Sequence, residues 1–276
     1  MKEVFGALLR DRVGRWGLFG VGLVILMALT ASSIAPFDPL EVNTQLRFAP
    51  PGEGHLFGTD YLGRDVFSRI LYGARVSIFV GLISVSIGAG FGFLIGVISG
   101  YIGGRIDNLI MRFMDVLFAF PSILLALLIV SVLGSDIRNT MIAIGIVFMP
   151  VFTRTVRASV ITVKNMDYVQ NAKTVGVRPV WVIIRHIIPN TLSPFLVQIT
   201  LALSSAILTE STLSFLGLGI QPPNPSWGSM LSESRSLMEL APWTAIFPAV
   251  FIIMTILSFN ILGDSLRDVL DPKLKI

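Results

Sequence analysis

The chain of 276 residues contains no cysteine and only 2 histidines, and Asp, Glu, Lys and Arg together make up 14% of it. Each scarcity excludes something. Without cysteine there are no disulfides and no thiolate metal sites. The histidines, His55 and His186, stand far apart, and neither belongs to a His-Glu-x2-His pair. Glycine is plentiful at 25 residues, yet no Gly-x4-Gly-Lys-Ser/Thr string occurs, so this chain is not expected to hydrolyse ATP itself. No Gly-x-Ser-x-Gly elbow occurs either. Catalysis by this chain is not expected.

The shortage of charge is the most telling of these. Soluble domains carry about 25% charged residues, whereas this chain is 53% hydrophobic with a mean hydropathy of +0.79. The apolar residues fall in runs of about twenty, the length that crosses a bilayer, rather than in short periodic patches. The fold class expected is an all-α membrane protein. An isoelectric point near 9.7 then reflects basic cytoplasmic loops rather than nucleic-acid binding. The run after Trp16 is too long for the apolar part of a cleavable signal, so it is expected to remain as a span.

Six spans are expected: Trp16–Ala35, Ile78–Tyr101, Val116–Leu133, Thr140–Phe152, Thr191–Leu213 and Trp243–Leu262, the fourth short for a bilayer. With the N-terminus inside, the inner segments hold 15 Lys and Arg and the outer ones 6. The positive-inside rule therefore places both termini and the stretch from Met166 to Asn190 in the cytoplasm. Residues 1–77 form an N-terminal cytoplasmic segment, a first span and an extracytoplasmic loop. Residues 78–276 form a five-helix core.

Within the second span, Gly88, Gly92, Gly96 and Gly100 recur every four residues and so share one helix face. That face admits another helix closely, either from this chain or from a partner. In the long loop, Asp65 is placed to cap a helix starting at Val66. His55, Asp60 and Asp65 read as caps and turn locks rather than metal ligands. Glu210 stands almost alone among apolar residues, so it must face protein or water. With Ser204, Ser205 and Thr209 it suggests a water-lined helix; an ion pair with a partner near the outer interface is the other reading.

The polar stretch from Asn165 to Asn190 interrupts two apolar runs. Asn165 is positioned as an N-cap, Asp167 falls in the first turn, and Gly176 supplies a left-handed stop about two turns later. Tyr168, Ala172 and Val175 share a face. Pro179 then opens a second short helix that Pro189 is expected to stop. The spacing Gln170-Asn171-Ala172-x3-Gly176-x9-His186-x-Ile188-Pro189 resembles the Glu-Ala-Ala…Gly…Leu-Pro loop of bacterial ABC importer permeases. Gln170 and Asn171 depart from the usual Glu and Ala; Gln170 keeps the length and an acceptor oxygen without the charge. The strings Gly58-Thr59-Asp60-Tyr61-Leu62-Gly63-Arg64-Asp65, Ala119-Phe120-Pro121-Ser122, Leu213-Ser214-Phe215-Leu216-Gly217-Leu218-Gly219 with Ser226-Trp227-Gly228, and Asn260-Ile261-Leu262-Gly263-Asp264 followed by Arg267-Asp268 and Asp271-Pro272 look like the second permease subunit of dipeptide and oligopeptide importers. Nickel-importing relatives share these strings.

The resemblance implies a type I ABC importer permease fold with a coupling helix at 165–177 that docks on an ATPase. Its contacts would come from Asp167, Tyr168, Gln170, Asn171, Ala172, Gly176, His186 and Pro189. Path-lining candidates are Ser204, Ser205, Thr209 and Glu210. The partners implied are a homologous second permease, two ATPase subunits that bind ATP and magnesium, an extracytoplasmic substrate-binding protein, and lipid. No cofactor is expected in this chain. The location implied is a bacterial or archaeal cytoplasmic membrane. Import of short peptides is the function implied, with nickel import as the alternative within the family. A self-contained ion-coupled carrier or channel is the rival from another class, and it would need a polar ring at mid-membrane.

Overall fold

The structure is a computed structural model that describes residues 2–52 and 54–270; Asp271, Pro272, Lys273 and Lys275 lie outside the described residues. The described chain is helical: α1 (Lys2–Arg10), α2 (Arg12–Ile34), α3 (Val66–Ile102), α4 (Gly104–Ala119), α5 (Ser122–Leu133), α6 (Ile137–Lys164), α7 (Asp167–Thr174), α8 (Pro179–Val182), α9 (Ile188–Phe215), α10 (Trp227–Ser234) and α11 (Trp243–Leu270). Five segments are long and apolar enough to cross a membrane: α2, α3, α6, the stretch Pro179–Phe215, and α11.

Caps fix several helix starts. Asp11 accepts hydrogen bonds from the Gly14 and Val13 amides and from the Ser265 hydroxyl of α11. The Gly14 bond foremost, and then the Ser265 bond, lower the Asp11 pKa. Asp65 caps α3 as its sequence suggests, accepting from the Ser68 amide at 2.7 Å. Because α3 starts at Val66, the division expected between residues 77 and 78 falls inside a helix.

The centre of the fold is the parallel pair α3 and α6. A side chain at Gly88 would meet the Gly145 carbonyl at 2.7 Å, and one at Gly92 would lie 2.5 Å from Phe152 Cβ. At Gly96 it would lie 2.8 Å from the Thr153 carbonyl, and at Gly100 2.9 Å from Val160 Cβ. The four-residue glycine repeat is therefore a seam within this chain, where backbones approach and dispersion contacts accumulate. A second close pair is antiparallel: α2 lays Gly17 on Leu262 and Gly20 on Ser258 of α11. Helix α9 runs antiparallel to α3, with Ile207 against Gly81 at one end and the Phe195 ring tilted against Phe93 and edge-on to Phe152 at the other.

Three expectations need correction. The third span is not one straight helix: α4 and α5 are bent by 92° at Phe120-Pro121. Pro121 has no amide to donate and disfavours helix at Phe120, which separates the two axes. Helix α5 has 12 residues, about 18 Å at 1.5 Å per residue, against a hydrocarbon core of about 30 Å. The fourth span is not short, since α6 runs 28 residues and carries Pro150 inside it. Pro189 does not stop a short helix either. A π-helical turn, Ile183–Ile187, joins α8 to α9, so the chain is helical from Pro179 to Phe215. In it the Ile188 amide donates five residues back to the Ile183 carbonyl, and the wider turn accommodates the Pro189 ring.

The seam predicts a specific defect. Gly92→Leu should leave membrane insertion intact but lower thermal stability in detergent by about 1–3 kcal/mol, the usual cost of overpacking. Gly90→Leu, where an added Cβ meets nothing within 4 Å, should not. Equal stability of the two variants would show that the seam is not packed as described.

Candidate functional site

Two ends of the bundle carry the polar chemistry. At one end, the chain between α6 and α9 folds into a compact hairpin of α7 and α8. Helix α7 has eight residues and ends in a Schellman clasp, with the Val177 amide on the Ala172 carbonyl at 3.1 Å and the Gly176 amide on Lys173 at 3.0 Å. Gly176 has φ +85°, as the sequence required. The start differs: Met166 occupies the cap position, whereas Asn165 closes the end of α6.

The anchor of α7 is Val169, which is fully buried with Val97, Val156, Val160, Val163, Val182 and Ile187. The residues read from sequence sit around it. Asp167, Gln170, Asn171 and Pro189 are exposed, Ala172 and His186 half-buried, and the Tyr168 ring meets His186 edge-on at 6.1 Å. The Gln170 carboxamide donates to the Lys164 carbonyl at 2.8 Å, which ties α7 to α6. Tyr168 and Val175 project outward, and Val175 is 83% exposed. Burial, and then the charge of Lys164, lower the Lys173 pKa; its ammonium lies over the Tyr101 ring. Anchored on valines and bare outside, the hairpin is a rigid knob.

The candidates on α9 divide between its faces. Glu210 is fully buried, accepting from Ser77 of α3 at 3.0 Å, Ser214 at 2.8 Å and Ser211 at 3.4 Å. Ser204 is buried and donates to Asn260 of α11 at 2.6 Å, and Thr209 is buried with its hydroxyl on the Ser205 carbonyl. Ser205 alone of the four is exposed. A lone carboxylate in an apolar run thus finds its partners inside its own chain, on α3 and α9.

The opposite end is locked by charge. Arg64 and Arg69 share Asp60, at 2.6 and 3.1 Å, and both grip Glu233 of α10, at 2.7 and 3.0 Å. Arg69 is almost wholly buried. His55 Nδ1 pairs with Asp65 at 2.9 Å. Trp227, the first residue of α10, is fully buried and donates to the Ile70 carbonyl at 3.1 Å. A side chain at Gly228 would lie 2.3 Å from the Ser211 carbonyl, so α10 is pressed onto α9. The Trp243 indole donates to Thr59, binding the long loop to α11. Sequence reading missed Val169, Glu233 and the arginine pair. Only Val169 had a local signal, as an apolar residue of α7 about a quarter turn from the Tyr168–Ala172–Val175 face.

Helices of this length and apolarity, packed into one bundle, define a multi-pass membrane protein. Residues 92–276 match the family described as binding-protein-dependent transport system inner membrane component, and residues 1–51 match the N-terminal TM domain of oligopeptide transport permease C. The chain belongs to this family of inner-membrane permeases, which are non-catalytic. The dipeptide transport system permease protein DppC of Alkalihalophilus pseudofirmus is 45% identical over 274 residues, 99% of this chain and 90% of that protein. Its namesake in Haemophilus influenzae is 44% identical, covering 100% of this chain and 95% of the relative. The glutathione transport system permease protein GsiD of Pectobacterium atrosepticum is 44% identical over 99% of this chain and 91% of its own length. A solved chain described as an amino acid ABC transporter with histidines shares the fold, with a TM-score of 0.56 at 16% identity over 73% of this chain and 94% of that one.

The charge lock yields a test. Glu233→Gln leaves two buried guanidinium groups with Asp60 as their one carboxylate, and should destabilise the protein by about 3 kcal/mol. Glu239→Gln, at an exposed position on the same segment, should change little. Thermal unfolding in detergent measures both; indistinguishable melting curves would mean that Glu233 does not hold the lock.

Proposed function

We propose that this chain is a permease subunit of an ATP-driven importer of short peptides. The observation that carries the reading is near-full-length identity of 44–45% to proteins named for dipeptide transport, combined with the exposed knob at α7. Glutathione is itself a tripeptide, so the name of the third relative agrees. These names favour peptides over nickel, the other cargo that the sequence resemblance implies.

In this reading α7 is the coupling helix. Tyr168 and Val175 meet the ATPase subunit, joined by Asp167, Asn171, Ala172 and the His186–Pro189 turn, while Gln170 and Gly176 hold the helix at its angle. ATP and magnesium belong to two ATPase partners. Closure of that pair pushes the knob, and because α7 is bonded to α6 and buried among valines of α3 and α6, the push moves the spans as rigid bodies, as alternating access requires. A second, homologous permease completes the path, and an extracytoplasmic binding protein delivers the peptide. Both termini and the knob face the cytoplasm, as the distribution of Lys and Arg favours. The residues before Val66 serve as anchor and outer loop, and those from α3 onward as the working core. A self-contained carrier is disfavoured because Glu210, its best candidate, is bonded to serines of its own chain.

Proteoliposomes holding the complete complex and its binding protein test this. ATP-dependent accumulation of labelled dipeptide is expected. Accumulation of labelled nickel with no uptake of di- to octapeptides would overturn the peptide assignment. Gly176→Val should cut ATPase association and peptide-stimulated hydrolysis several-fold without blocking insertion. An added Cβ there meets nothing within 4 Å, so the fault is φ alone and Gly176→Asn should be tolerated.

A further inference from the structure

Helix α9 shows two kinds of exposed surface. On one side Leu192 and Leu196 are 40% and 47% exposed, as expected of a wall against lipid. On another, Asn190, Gln198, Ser205 and Thr212 recur at spacings of eight, seven and seven residues. At 100° per residue these four fall within about 80° of one another. All four are exposed or half-buried, whereas Ser204, Thr209 and Glu210 are buried. The stripe runs 22 residues, about 33 Å, the thickness of a hydrocarbon core. Apolar Leu201 and Leu208 lie between its members.

A carboxamide turned to lipid would leave two donors and an acceptor unmet in hydrocarbon. Asn190 meets part of its need by donating to the His186 carbonyl, and Thr212 by donating to Leu208. Gln198, near the middle of the stripe's inner half, bonds to no described residue. Beside it lies a groove of ≈ 640 Å³ between α6, α9 and α11, into which Asn190 and Gln198 open together with Arg267. That volume is within the range of about 300–1,000 Å³ typical of small-ligand sites.

We propose that this stripe is the chain's lining of the translocation path, and that Gln198 is its peptide-reading residue. The inference rests on the peptide-importer reading and names the contact within it. A carboxamide carries the same donor and acceptor pair as a peptide bond, so Gln198 pairs with the main chain of any short peptide whatever its side chains. Leu201 and Leu208 give the side chains an apolar wall without fixing their identity. The result is a path that selects a backbone rather than a sequence.

The test uses the reconstituted complex with its ATPases and binding protein, and exploits the absence of background cysteine. Single cysteines introduced at positions 198 and 205 should react with a hydrophilic, membrane-impermeant thiol reagent under turnover, and saturating alanyl-alanine should slow the reaction at 198. Cysteines at 192 and 196 should stay unreactive. Gln198→Leu should lower alanyl-alanine uptake about tenfold, the loss of one or two hydrogen bonds, and Gln198→Asn should restore part of it. Positions 198 and 205 as unreactive as 192 and 196, or cross-linking of the Gln198→Cys variant to the second permease at rest, would overturn the assignment. So would wild-type uptake by Gln198→Leu. If the wild-type complex imports no peptide, the peptide-importer reading fails by itself, and the labelling pattern still decides whether the stripe faces water.

Discussion

The close approach of α3 to α6 is the contact on which the rest of this molecule depends. Four glycines let two parallel helices of 37 and 28 residues touch backbone to backbone. In a membrane, where burying apolar surface against lipid tails gains nothing, such proximity is what holds helices together. Two parallel helices need a returning segment between them, which the bent α4–α5 pair supplies. Their joined ends form the valine floor on which α7 rests, so the knob inherits its position from the seam. Helix α9 then lies across both, and α2 with α11 closes the remaining side through a second set of glycine contacts.

The two ends of the bundle are held by different physics. At the knob the anchors are apolar, and the outer surface exposes Val175 and part of Tyr168. At the opposite end Asp60, Arg64, Arg69 and Glu233 join the long loop to α10, and Glu210 with its serines joins α9 to α3. Buried ion pairs add little net stability but fix a geometry, because each wrong arrangement leaves a charge unpaired. In the proposed cycle, this fixed frame at one end complements the handle pushed at the other. The groove beside Asn190 and Gln198 opens near the knob, and the stripe on α9 runs from there toward the charge lock.

Much of this was legible in the sequence. Runs of apolar residues located the five helices of membrane length, and local rules about caps and φ made Asp65 mark the start of α3 and Gly176 the end of α7. Local rules failed where packing decided. Nothing near Glu233 says that two arginines 164 and 169 positions earlier will reach it. The glycine repeat predicted a close neighbour but not which one. Pro189 read as a stop because a proline inside a helix usually is, and a π turn absorbed it instead. The direction of Glu210 could not be read, since a buried carboxylate and a path-lining one look alike in sequence.

We propose the α7 knob as the place where a cytoplasmic ATPase engages this chain. Val175, exposed at its tip, is the position to probe. A single cysteine there, carrying a short photo-activated cross-linker in the intact complex, should capture an ATPase subunit, and saturating ATP with magnesium should change the yield. In sealed, right-side-out vesicles the same cysteine should resist a membrane-impermeant reagent. Labelling from outside, or capture of the extracytoplasmic binding protein in place of the ATPase, would show that the knob does not face the ATPase.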